Sequence, residues 1–132
     1  MANYEGFART NYFQVLDIEA FRTWDESLKL EVITDIDEPG AVGLISHTDT
    51  GTWPACDLET MEDIDFSDLL AKHLAPGQIA ILMEIGHEKM CYLGGYAVAI
   101  NSEGREVGIN LFDIYELAHK NFGIDNISCA EF

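Results

Sequence analysis

A chain of 132 residues, 48% hydrophobic and 11% aromatic, is one ordinary domain with enough apolar surface for its own core, so its acidity does not mark a disordered tail. Its 24 acids against 7 bases give a net charge of −17, which disfavours direct binding to nucleic acid or to anionic membranes and favours basic partner surfaces. No apolar run approaches the roughly 18 residues of a membrane span, and "MANYEGFART" lacks the layout of a secretion signal, so a cytoplasmic protein is expected.

Taken in chain order, residues 1–10 read as a loose arm on a single domain spanning 1–132. "NYFQVL" from Asn11 alternates and is aromatic, which predicts a first strand. Asp17 then caps a helix whose Ile18, Phe21, Trp24 and Leu28 recur at spacings of three and four. "LEVITDI" from Leu30 and "AVGLIS" from Ala41 read as a hairpin turning at "DEPG". "HTDTGTWPACD" is loop-like, with a short edge strand near Ala55 and Trp53 closing the hairpin end.

A second helix follows from Phe66 to Leu74, with Phe66, Leu69, Leu70 and Leu74 as its inner stripe. "QIAILMEI" from Gln78 alternates Ile79, Ile81, Met83 and Ile85 on one face and has Ala80 and Leu82 apolar as well, which predicts a central strand. "CYLGGYAVAIN" and "REVGIN" pair around "SEG", where Gly104 suits a left-handed turn position. Gly94-Gly95 suggest a bulge or a close crossing. The last helix takes Asn110 as its cap, turns Leu111, Ile114, Tyr115, Ala118 and Phe122 to one face, and ends at Gly123. The expected fold is α+β: a mostly antiparallel sheet of five to six strands with three helices packed on it, in the order β-α-β-β-α-β-β-β-α.

Charge is concentrated in the middle of the chain. From Leu30 to Ala71 there are eleven acids and no lysine or arginine. Within "LETMEDIDFSDLL" Glu59, Glu62, Asp65 and Asp68 stand three apart and would form one ridge on a helix. Such a helix would turn Met61 and Ile64 away from the stripe of Phe66, Leu69, Leu70 and Leu74. A start at Asp65, with Asp68 in a capping-box-like position and paired to Lys72, is the better fit. That leaves Glu59, Glu62 and Asp63, with Asp57, in the approach loop without a structural role.

Sites of chemistry find little support. Asp35, Asp37 and Gly40 begin like a calcium loop, but Pro39 and Ser46 stand where ligands are needed. "GHEKMC" offers His87, Glu88 and Cys91 but no second histidine. His73 lies on the buried side of its helix. A loose oxygen site among Asp57, Glu59, Glu62 and Asp63 is a minor alternative; no cofactor, metal or catalytic residue is assigned. Cys56, Cys91 and Cys129 lack CxxC spacing and read as reduced thiols.

The segments "NYFQV…FRTW", "TGTWP", "IDFSDLLAKHLAPGQIAILMEIGHEK" and "YLGGYAVAIN…GREVGINLFDIYELA" resemble a family of small acidic proteins of bacterial phages, plasmids and other mobile elements, from Asn11 to Ala118. That family has no motif of assigned chemistry, so no catalytic residue is carried over. The resemblance implies an anti-defence context, anti-CRISPR or anti-restriction.

The resulting expectation is a non-enzymatic inhibitor of a basic, nucleic-acid-binding protein, acting by DNA mimicry or by blocking a basic groove. Its binding surface would be Asp35, Asp37, Glu38, Asp49, Asp57, Glu59, Glu62, Asp63, Asp65 and Asp68. The alternatives are an accessory module that homodimerises through its sheet or a helix face, and a small metal-dependent or hydrolytic enzyme.

Overall fold

A computed structural model describes residues 4–46, 52–57, 60–88, 92–124 and 126–128. The expected order and class are what is observed. Strands β1 (Tyr4–Thr10), β2 (Leu30–Thr34), β3 (Val42–Ser46), β4 (Ile79–Glu88), β5 (Tyr92–Asn101) and β6 (Glu106–Asn110) form one sheet, ordered β2-β3-β1-β4-β5-β6 and antiparallel at every pairing. The helices are α1 (Ile18–Ser27), α2 (Phe66–His73) and α3 (Asp113–Phe122).

The stretch 4–10 is not a loose arm, which corrects the sequence reading; residues 1–3 lie outside the described residues. Tyr4–Thr10 is β1, seated between β3 and β4 in the middle of the sheet. Its inward side is Gly6, Ala8 and Thr10, too small and mixed to announce an apolar face. Ala8 and Thr10 are nonetheless buried, and the Thr10 hydroxyl accepts from the Leu44 N–H. Asn11 to Leu16, expected as the first strand, instead runs on from β1 through isolated bridges of Phe13 to Val42 and Val15 to Leu74.

Local chemistry sets the first two helices as expected. The Asp17 carboxylate accepts from the N–H groups of Glu19 and Ala20, and Asp65 accepts from Asp68, satisfying donors that a helix start leaves open. Both helices lie on one face of the sheet. The core there joins Phe13, Phe21, Leu44, Leu70, Leu74 and Ile100, each almost wholly buried. A run of flat rings binds the two helices together: Trp24 stacks on His73 at 4.7 Å and on Phe66 at 5.4 Å, and Trp53 stacks on Phe66 at 5.5 Å.

The third helix differs. Its cap is Phe112, not Asn110, with no side-chain capping bond; the Asn110 N–H donates to the Asp113 carboxylate instead. Gly123 ends it at φ 67°, the left-handed conformation that a C-cap glycine supplies. No residue of α3 is buried. The ladder through Gly94 and Gly95 is unbroken, with no bulge; Gly95 leaves room for Leu111, whose side chain a Cβ there would meet at 3.2 Å.

Candidate interaction surfaces

The acidic segment divides as its local chemistry requires. The loop before α2 is closed by paired ends. Ile64 N–H donates to the Ala55 carbonyl at 3.0 Å, and Cys56 bridges Asp63. Asp57 organises the turn inside it: its carboxylate accepts from Thr60 N–H and its carbonyl from Met61 N–H. Asp57 therefore has a structural role that the sequence reading missed. The whole loop is tied to the sheet by Trp53, whose ring lies on Phe66 and whose backbone N–H donates to the Glu84 carboxylate at 3.2 Å.

At the tip, Met61 is 71% exposed and sits at φ 59°, where side chains other than glycine are uncommon. Glu62 and Asp63 beside it are exposed. Asp65 and Asp68 continue the exposed set into α2, where Asp68 pairs with Lys72 at 3.4 Å. Thus Asp57, Glu62, Asp63, Asp65 and Asp68 share one connected segment.

Asp35, Asp37 and Glu38 do not join them. They sit in the β2–β3 turn, where the Asp35 carboxylate accepts from Asp37 N–H and the Glu38 carbonyl from Ala41 N–H. Asp68 lies beside Gly104 of the β5–β6 turn. Strands β1 and β4 separate the two hairpins, so the two acidic groups stand on the order of 15–20 Å apart. The expected single surface is two patches. Asp49 and Glu59 fall outside the described residues, as does Cys91. His87 lies near the end of β4, 3.6 Å from the Glu5 carboxylate. Among the described residues no three of His, Cys, Asp or Glu are grouped to hold a metal ion.

Asp25 was overlooked and is the most perturbed group found. It stands four residues after Phe21 and three before Leu28, on the buried stripe of α1, and is 0% exposed. Neither carboxyl oxygen has a hydrogen-bond partner. Burial pushes its pKa up to about 8, against a smaller opposing pull from Arg22. Burial likewise lowers the pKa of His73, and Asp17 partly offsets it. Asp25 is sealed from solvent, which gives a substrate no access to it.

The opposite face of the sheet carries the second surface. β4 is a central strand, as expected, and one of its sides is covered by α1 and α2. On the other, Ile79, Met83 and Ile85 of β4 are about half bare, and Val107 and Ile109 of β6 are 71% and 67% exposed. The ladder pairs Met83 with Ala97 and Ala97 with Ile109, so these side chains share one face. At its far end Phe7, Ile85, Leu93 and Leu111 border an open depression of about 490 Å³. On this face β5 and β6 carry no charged residue, while β4 carries His87 beside Glu5 of β1, and Arg9 of β1 stands opposite Met83. No helix among the described residues is long and apolar enough to cross a membrane.

Comparison with protein-family models, with curated proteins and with solved structures returns no match.

Proposed function

We propose that the protein is a cytoplasmic, non-enzymatic binding protein whose exposed carboxylates occupy the basic groove of a nucleic-acid-binding protein and block it. The observation that carries this reading is the anchored acidic loop running into α2. Glu62, Asp63, Asp65 and Asp68 are exposed on a segment fixed by two paired ends, a capped helix and a stacked tryptophan. Carboxylates held in place imitate phosphates better than mobile ones, because their ordering cost is met on folding and not on binding. A net charge of −17 adds long-range attraction to a groove built for DNA. Met61, exposed at the loop tip in an uncommon backbone conformation, adds an apolar contact among the acids. The motif resemblance to acidic proteins of mobile elements supports a bacterial defence complex, CRISPR or restriction, as the partner.

The test is inhibition of DNA cleavage by restriction and CRISPR effectors, with the paired substitution Glu62→Lys and Asp63→Lys. Both side chains are exposed, and Asp57 is left alone because it holds the turn. Inhibition by the native chain that weakens steeply with salt and disappears in a folded variant is expected. Undiminished inhibition by that variant, or no inhibition of any effector by the native chain, overturns the reading.

A further inference from the structure

We infer that the bare face of β4, β5 and β6 is the interface of a homodimer, with two copies packed sheet to sheet about a two-fold axis that runs along the strands between β5 and β6. This stands apart from the acidic reading and uses none of its residues.

Exposure comes first. The large apolar side chains on this face, Leu111 included, are each about half bare or more. Together they form a contiguous exposed apolar stripe, not the scattered single hydrophobes that are ordinary on a monomer surface. The helix α3 adds Ile114, 59% exposed, and Leu117, 51% exposed. At ten residues α3 is shorter than the about 12–15 that hold a helix alone, and none of its residues is fully buried against the described chain.

Shape points to a second copy as the occupant. β5 presents Ala97 and Ala99 to this face, a trough of small residues that ends at Gly95, where Leu111 lies over it. β6 beside it presents Val107 and Ile109, a ridge with the same two-residue spacing, about 6.8 Å. The proposed axis lays the β6 ridge of each copy into the β5 trough of the other, as an isologous contact requires. The two sheets then stand about 10 Å apart in aligned packing.

Charge points the same way. Two chains of −17 repel each other over most orientations, and β5 and β6, where the proposed axis lies, offer an uncharged approach. A basic protein would find no carboxylate on this face from β4 to β6.

The experiment is sedimentation equilibrium of the full chain over a wide concentration range, repeated with Ile109→Lys and Val107→Lys. Both side chains are already in solvent in the single chain, so the monomer should fold unchanged by circular dichroism. A dimer in the native chain, weakened roughly 100-fold or more by either lysine, is expected, because each would bury an unpaired charge. Covalent footprinting of the native chain adds a readout free of any variant: Met83 and Ile109 should become protected as the dimer forms. A native chain that stays monomeric, a dimer indifferent to both lysines, or labelling of Met83 and Ile109 independent of concentration each overturns the inference.

Discussion

Replacing Asp25 by Asn isolates a carboxyl that the fold buries without a partner. Its folded pKa is about 8, against 3.8 for the free side chain, because burial penalises the charged form. Between those values the folded chain keeps a proton that the unfolded chain has lost. Stability is therefore fully present below about pH 4, falls as pH rises, and stops falling above about pH 8, once both states are ionised. The slope in that window is ~1.4 kcal/mol per pH unit, so from about pH 5 to about pH 7 the wild type loses roughly 2.5 kcal/mol that Asp25→Asn does not. An asparagine of the same shape leaves an unpaired amide in the core, whose cost is constant with pH. The prediction is thus a slope and not an offset: urea unfolding of both proteins across this range should give stability curves that diverge in favour of Asn. The other acids titrate in both chains and cancel. Curves that run parallel would show that Asp25 ionises normally in the folded protein and would refute the argument.

Phe66→Ala removes the ring between Trp24 and Trp53 and should cost about 3–5 kcal/mol, read from the urea midpoint at constant slope. Asp65→Ala should cost about 1 kcal/mol through loss of the α2 cap, whereas Glu62→Gln, with no local bond from its side chain, should stay within about 0.5 kcal/mol. A loss at Glu62 as large as at Asp65 would contradict the division of the acidic segment into capping and surface parts.

What was legible in the sequence was local chemistry with a strong signal. Asp17 and Asp65 could be read as caps because an acceptor ahead of an apolar period has one common use. Gly104 and Gly123 were legible because a left-handed backbone selects glycine. β1 was hidden because its buried side is Gly6, Ala8 and Thr10, and period-two alternation needs large residues to be seen. The signal for Asp25 was present but unused: its spacing from Phe21 and Leu28 places it on the helix's inner stripe. The acidic patches could not be counted from sequence, because strand order alone separates the β2–β3 turn from α2.

The bare sheet face was not legible for a different reason, and that reason bears on function. Apolar residues on both sides of β4 say that both sides leave water, not that the same chain covers them. Here two helices cover one side, and the third, itself unburied, covers neither. A chain with 24 acids has ample means to place charge on an exposed face, yet β5 and β6 carry none there. The two surfaces should then answer to salt in opposite ways. Screening weakens carboxylates set against a basic groove, but it relieves repulsion between two copies of −17 and leaves apolar contact intact. Raising the salt separates the roles: partner binding fades while self-association holds or strengthens. If both faded together, the sheet face would not be held by apolar contact.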